Sequence, residues 1–242
     1  MGGPQIMKQT FNKKQKARLF LVDDHPLVRQ QLGQLIAQQP DLAVCGECGE
    51  AADCLRQLTA LKPDLVIVDL SLKSSHGIEL IKDIKAHHPD MHILVLSMHN
   101  ESLFADRSIR AGALGYVTKQ ESTEIIMTAI RRVLAGEMFL TERMATQLVA
   151  LLIHGPSKLT GSLTGGLSDR ELEIFELLGA GRGTRQIAES LRIDVKTVET
   201  YRARIREKLN LKTSSELIQQ AVRWVQNGGK GNPAASDPPY TT

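Results

Sequence analysis

Three times along the N-terminal half of the chain an X-Pro-Asp tripeptide precedes an apolar run. Gln39-Pro40-Asp41 precedes Leu42-Ala43-Val44, Lys62-Pro63-Asp64 precedes Leu65-Val66-Ile67-Val68, and His88-Pro89-Asp90 precedes Ile93-Leu94-Val95-Leu96. Proline cannot continue a helix and pushes its predecessor toward extended geometry, so each tripeptide reads as the end of a helix and the entry to a strand. Repetition of that unit predicts successive βα crossovers, hence a parallel sheet with helices on both faces. The run between Asp64 and Asp69 is unalternating and β-prone, the pattern of a strand buried on both sides.

The rest of this half fits the same scheme. Leu19-Phe20-Leu21-Val22 is a first strand ending in Asp23-Asp24, and Pro26 suits the first turn of a helix carrying Val28, Leu32, Leu35 and Ile36. Gly115-Tyr116-Val117-Thr118 is a fifth strand ending at Lys119, followed by a helix through Ile125, Ile126, Ala129, Ile130 and Val133 that stops at Gly136. The expected fold over residues 17–136 is a five-stranded, doubly wound α/β domain. Residues 1–16 read as a disordered basic tail (Lys8, Lys13, Lys14, Lys16). Residues 137–166 read as a connecting helix, with Met144, Leu148, Leu151 and Leu152 on one side, and then a Gly/Ser/Thr-rich linker. Residues 167–226 form a second, all-α unit, and the Gly/Pro-rich end, 227–242, reads as disordered.

A chain of 242 residues has room for two small cores. Its net charge of +3 is too small to name a partner, no apolar run reaches the length of a membrane span, and the polar N-terminus lacks the apolar core of a signal peptide. A cytoplasmic protein with no membrane partner is expected. Cys45-Gly46-Glu47-Cys48 spells C-x-x-C, but zinc needs four ligands and no second pair follows. The redox form belongs at a helix N-terminus, whereas Cys45 falls in a strand read as Leu42 to Glu47. Neither role is expected.

In an open α/β sheet, chemistry sits in the crevice beyond the carboxyl ends of the strands. Those ends carry Asp23, Asp24, Asp69, Ser97 and Lys119. Three clustered carboxylates repel one another and are poised for a hard cation such as Mg²⁺, which prefers oxygen ligands. A carboxylate can also act as a nucleophile toward phosphorus. The cation and a lysine would neutralise charge on the transferring phosphoryl group, and Ser97 could donate to one of its oxygens.

In the C-terminal unit, Ser168-Asp169-Arg170-Glu171 reads as a capping box, with Leu172, Phe175, Leu177 and Leu178 as the apolar stripe behind it. Thr184 reads as the cap of a short helix, Arg185 to Leu191, that turns in Ile187, Ala188 and Leu191. Asp194 caps a longer helix through Leu209, with Val198, Ile205 and Leu209 inward. Two helices joined by so short a turn predict a helix-turn-helix, whose second helix can enter a DNA major groove. From Arg192 to Lys212 there are seven basic residues against three acidic ones, an excess that suits phosphate contacts. Glu199, Thr200 and Ala203 are assigned to base edges, and Lys196, Thr197, Arg204, Arg206 and Lys208 to phosphates; Thr184 is counted with the DNA-contacting set.

Residues 17 to about 136 resemble the receiver domain of bacterial response regulators through Val22-Asp23-Asp24-His25-Pro26, Asp69-Leu70-Ser71-Leu72, Gly77-Ile78-Glu79-Leu80, Ala111-Gly112-Ala113-Leu114-Gly115-Tyr116 and Lys119. Leu167 to about Val225 resembles a LuxR-type DNA-binding domain through Ile187-Ala188, Lys196-Thr197-Val198-Glu199-Thr200-Tyr201 and Ile205 to Leu211. Together the halves resemble a NarL/FixJ-type regulator, with a flavodoxin-like receiver followed by a four-helix helix-turn-helix domain. The resemblance implies Asp69 as phosphoacceptor and Asp24 and Asp69 as direct Mg²⁺ ligands. It implies Asp23 acting partly through water and the Ser71 backbone carbonyl as a third protein ligand. It further implies Ser97 and Tyr116 as the switch pair, with Lys119 on the phosphoryl group. A partner histidine kinase, promoter DNA with paired half-sites and a homodimer on activation are implied as well. The pairing surface stays open among the helix after Ser97, the first and fifth helices, and Leu209 to Val225. The chain departs from the pattern at Lys73, where proline is usual, at His76, where an acidic residue is common, and at Tyr201, where histidine is common. An aspartyl-nucleophile phosphatase of the haloacid dehalogenase type uses similar groups, but places D-x-D on its first strand, where this chain has Asp23-Asp24. A degenerate, unphosphorylated receiver is the other alternative, and the full set of five pocket residues argues against it.

Overall fold

The computed structural model describes residues 16–72, 76–98, 101–142, 144–146 and 164–227. Strands β1 (Ala17–Val22), β2 (Leu42–Cys48), β3 (Leu65–Val68), β4 (His92–Ser97) and β5 (Gly115–Thr118) form one parallel sheet in the order β2-β1-β3-β4-β5. Helices α1 (Pro26–Ala37), α2 (Ala51–Leu61), α3 (Gly77–His87), α4 (Glu101–Ala111) and α5 (Thr123–Leu134) connect them. This is the flavodoxin-like order, with the switch of direction between β1 and β3. The two tails, Lys73, and the greater part of the predicted 141–153 helix and its linker lie outside the described residues.

Both faces of the sheet are buried, as the unalternating runs require. Leu19, Leu21, Ile67, Leu94, Leu96 and Val117 face the α1 and α5 side with Ile36, Ile130 and Val133. Phe20, Val22, Val66, Val68, Ile93, Val95 and Tyr116 face the α2–α4 side. Pro26 stands in the first turn of α1, and β2 runs one residue further than predicted, to Cys48. The chain does not leave this domain at Gly136, a left-handed residue at φ 78. Phe139 lies beside Gly115 as an added parallel bridge, and its N–H donates to the Leu114 carbonyl at 2.9 Å.

The C-terminal unit comprises α6 (Asp169–Gly179), α7 (Thr184–Leu191), α8 (Val195–Lys208) and α9 (Ser214–Gln226). The predicted capping box is present: Glu171 N–H donates to Ser168 Oγ, and Ser168 N–H donates to Glu171 Oε2 at 2.7 Å. Phe175 and Trp224 pack tilted, ring centroids 5.3 Å apart, where α6 meets α9. Small Ala188, buried in α7, sits in the same core as Val198 of α8, the close approach expected of a helix-turn-helix.

Two local expectations are corrected. Gly183, not Thr184, is the cap of α7; its N–H donates to Gln186 Oε1 at 3.0 Å, and Thr184 is the first helical residue. Leu177 is only half-buried, and Ile174 takes the core position instead; Leu177 points toward the receiver.

Candidate functional site

Strand register brings the acidic residues together. Val22 pairs with Val68, so Asp23 and Asp69, one residue further on, leave the sheet side by side, and Asp69 N–H donates to the Val22 carbonyl at 2.8 Å. Ser97 pairs with Thr118, and Lys119 N–H donates to the Ser97 carbonyl at 2.9 Å. Lys119 Nζ then lies 2.5 Å from Asp23 Oδ2 and 2.8 Å from Asp69 Oδ2. Burial works against the ammonium, but the carboxylates of Asp69 and Asp23 outweigh it and hold the Lys119 pKa above the ordinary lysine value. Ser97 and Tyr116 are fully buried.

Carboxylate oxygens of Asp23, Asp24 and Asp69 and a ring nitrogen of His25 lie within 4.8 Å of one another. Asp24 Oδ1 is buried and accepts no hydrogen bond, although His25 Nδ1 stands 2.7 Å away, out of line. His25 was not among the predicted site residues; its signal was adjacency to the acidic pair alone. The Asp69 loop leaves no room behind it. A Cβ on Gly77 would come within 2.2 Å of the Asp69 carbonyl oxygen, so α3 can abut the acceptor only through glycine.

A cavity of about 560 Å³ opens onto this cluster, lined by Asp69, Ser71, Lys119 and His25 from the receiver and by Glu176, Leu177 and Leu191, among others, from α6 and α7. The C-terminal unit is therefore docked over the strand ends. A comparable cavity at the opposite edge, lined by Lys62, Asp64, His88 and His92, borders the strand entries, away from the ends where such sheets bind ligands.

Polar contacts across the junction fix the docking. Arg107 of α4 donates to Asp169 Oδ1 at 2.7 Å and to the carbonyls of Leu167 at 3.1 Å and Thr164 at 3.2 Å. Ser71 Oγ donates to Glu173 Oε1 at 3.1 Å, and His76 Nε2 lies 4.0 Å from Glu173 Oε2, both residues buried. His76 Nδ1 accepts from Ile78 N–H and caps α3, which leaves the neutral ring's proton on Nε2, facing Glu173. Arg170 Nη1 completes the Glu173 cluster at 2.6 Å. Arg192 Nη1 donates to both the carbonyl oxygen and Oδ2 of Asp24 at 3.0 Å. The histidine at position 76 was the one sequence hint of this arrangement.

On α8, Lys196, Glu199, Thr200, Ala203 and Arg204 are exposed, as the inward set Val198 and Ile205 requires, while Thr197 and Arg206 are half-buried. Leu209, predicted inward, is half-buried just past the helix end. Several assigned residues are already engaged within the unit: the Thr200 hydroxyl donates to the Lys196 carbonyl at 3.0 Å, and the Arg204 guanidinium lies 5.9 Å from the Tyr201 ring centroid. Arg202 Nη1 donates to Thr184 Oγ1 at 2.6 Å and Glu199 Oε1 at 2.8 Å, and Thr184 Oγ1 donates to Glu199 at 3.0 Å. Lys208 Nζ lies 2.6 Å from Glu171 Oε2, so this lysine holds the capping box rather than standing free.

Burial opposes ionisation of Glu171, but Lys208 and the Ser168 amide and hydroxyl outweigh it and hold its carboxyl below the usual glutamate range. A carboxyl depressed in the folded state adds stability that is full above its unfolded pKa and is lost as pH falls through the folded one. Glu171→Gln is therefore expected to flatten the acid limb of stability of the C-terminal unit, read by denaturant melts at falling pH. An unchanged limb would mean Lys208 and Ser168 contribute nothing there.

The comparisons with known proteins agree with this geometry. Residues 19–131 match the response regulator receiver domain, and residues 166–221 match the bacterial regulatory proteins of the luxR family. The response regulator GacA of Pseudomonas aeruginosa is 36% identical over 208 residues, 85% of this chain and 95% of that protein. RcsB of Salmonella enterica serovar Typhimurium, solved bound to promoter rprA in the presence of the phosphomimetic BeF3−, is 25% identical, with a TM-score of 0.56 over 86% of this chain and 99% of that one. A structure of two RcsB dimers bound to two parallel DNAs is 26% identical with a TM-score of 0.51, over 84% of this chain and 97% of that one.

A receiver domain followed by a LuxR-type helix-turn-helix defines a class of two-domain regulator. The chain belongs to the NarL/FixJ-type response regulators of two-component systems. The phosphatase alternative falls with that assignment. No described helix is long and apolar enough to cross a membrane.

Proposed function

We propose that this protein is a phosphorylation-controlled transcriptional regulator, cytoplasmic, in which Asp69 accepts a phosphoryl group from a histidine kinase and thereby releases the C-terminal unit for paired binding to promoter DNA. The observation that carries the reading is the Asp69–Lys119–Asp23 cluster facing a cavity walled on its far side by the DNA-binding unit.

The acidic residues fit a Mg²⁺ ion. Three carboxylates supply hard oxygen donors within a few ångströms, and the buried Asp24 Oδ1 lacks a hydrogen-bond partner that a cation would replace. Asp23, Asp24 and Asp69 with the Ser71 carbonyl would hold it, and when bound it would neutralise charge on the phosphoryl oxygens. Asp69 supplies the attacking carboxylate oxygen. Lys119, already against that carboxylate, is placed to follow the added charge, and the Ser97 hydroxyl to donate to a phosphoryl oxygen. Tyr116, fully buried on β5 beside β4, would complete the switch pair with Ser97.

The added phosphoryl group brings about −1.5 to −2 charges into a cavity that also contains Glu176 and borders Glu173. Like charges at that range work against the docked arrangement, and an existing closed–open equilibrium shifts toward open. Freed units can then pair on half-sites, a reading supported by the RcsB dimers on DNA.

DNA contact falls to α8, with Lys196, Thr197, Arg204 and Arg206 on phosphates and Glu199, Thr200 and Ala203 toward base edges. Glu199 keeps Oε2 open while Arg202 and Thr184 hold Oε1, and Lys208 keeps two ammonium hydrogens beyond its contact with Glu171. Arg204→Ala is expected to weaken binding to all duplexes and lower the salt slope by about one, whereas Glu199→Ala changes which sequences are preferred. Salt-dependent titrations on several duplexes check both. An unchanged slope for the first, or equal losses everywhere for the second, would reject the role.

A further inference from the structure

Arg192 occupies an unusual position for a basic residue of a helix-turn-helix. It caps α7 in the left-handed conformation at φ 52, its N–H donating to the Ala188 and Glu189 carbonyls. From that turn its guanidinium reaches back into the receiver and places one nitrogen 3.0 Å from both Oδ2 and the backbone carbonyl of Asp24. The Asp24 side chain is 6% exposed and the Arg192 side chain 35%, so the pair is walled on the receiver side and open on the other. The carboxylate it grips belongs to the oxygen cluster described above.

We infer that Arg192 is a built-in antagonist of the cation site, so that a divalent cation and the docked turn of the helix-turn-helix weaken each other at Asp24. This rests on the reading of the acidic cluster as a Mg²⁺ site. The argument is one of charge and coordination. A small divalent ion demands a complete oxygen shell at about 2.0–2.1 Å, which Asp24 must turn an oxygen to join. A guanidinium on Oδ2 is a like charge only a few ångströms from an ion taken by the unpartnered Oδ1, and its grip on Oδ2 and the backbone carbonyl holds the carboxylate in the docked orientation. Undocking of the turn is therefore coupled to cation binding even before any phosphoryl group arrives. The coupling is reciprocal: docking weakens the cation by the factor by which the cation weakens docking. Arg107, Ser71 and Glu173 still tether the unit, so the cation loosens the junction at its Arg192 end without freeing it.

The test is calorimetric titration of Mg²⁺ into the unphosphorylated full-length protein, alongside the interdomain distance from energy transfer between a label on each domain. Arg192→Ala is expected to tighten Mg²⁺ binding about 5-fold or more, the low end of usual couplings because the pair is partly exposed. Arg192→Gly should do the same, and glycine suits the left-handed backbone, which guards against a folding defect. Mg²⁺ should lengthen the distance in wild type and leave it unchanged in Arg192→Gly. Unchanged Mg²⁺ affinity in both variants, with Asp24→Asn weakening it, would overturn the antagonism while leaving the metal pocket standing. Unchanged affinity in Asp24→Asn as well would overturn the pocket and the antagonism together.

Discussion

Incubated with acetyl phosphate and Mg²⁺, the full-length protein is expected to gain one phosphate by intact mass, and Asp69→Asn none. The difference is all-or-none because an amide oxygen is not a nucleophile at phosphorus, whereas the isosteric side chain keeps the packing of a residue that is 2% exposed. Asp23 and Asp24 remain in the mutant, so the absence of label there would assign the nucleophile to Asp69 rather than to its acidic neighbours. Labelling of Asp69→Asn to the wild-type extent would remove Asp69 from its role.

The second large effect is expected at Arg107. Three hydrogen bonds tie α4 to the segment that leads into α6, one of them to a carboxylate that is largely buried. Arg107→Ala should destabilise docking by about 2 kcal/mol, the scale of a hydrogen bond to a charged group. That is roughly a 30-fold shift of the closed–open ratio. Small-angle scattering should report a larger radius for the unphosphorylated variant, and DNA binding should become less dependent on phosphorylation. An unchanged radius and unchanged dependence would mean that the Glu173 cluster and the Arg192–Asp24 contact hold the domains without Arg107. α4 follows β4, which ends in the buried Ser97, so one helix joins the strand ends to the three-bond Arg107 tether on the DNA-binding unit.

Much of this architecture was legible in the sequence because local rules govern it. The Pro-Asp punctuation and the unalternating runs gave the strands and their order of appearance, and the capping box and short turn gave the helix-turn-helix. Adjacency of Asp23 and Asp69 depends on Val22 pairing with Val68, a register set by packing across the sheet rather than by either strand's composition. The engagements within the C-terminal unit were likewise hidden. Lys208 meets Glu171, and Arg202 meets Thr184 and Glu199, through folding of one helix onto another, and a count of basic residues treats all of these as free. The junction was the least legible part. Arg192 and Asp24 are 168 residues apart, and neither carries a local pattern that points at the other. Leu177 read as core because helical spacing cannot distinguish a face turned to its own domain from one turned to a neighbour. His76 stood out only as an oddity, and its reason is a carboxylate nearly a hundred positions away, at Glu173.

The most direct test is the interdomain distance at fixed Mg²⁺, before and after acetyl phosphate, in wild type and in Asp69→Asn. Charge placed on Asp69 should lengthen it in wild type alone, together with a gain in affinity for promoter DNA. A phosphorylated wild type that keeps both the docked distance and its original DNA affinity would contradict the account.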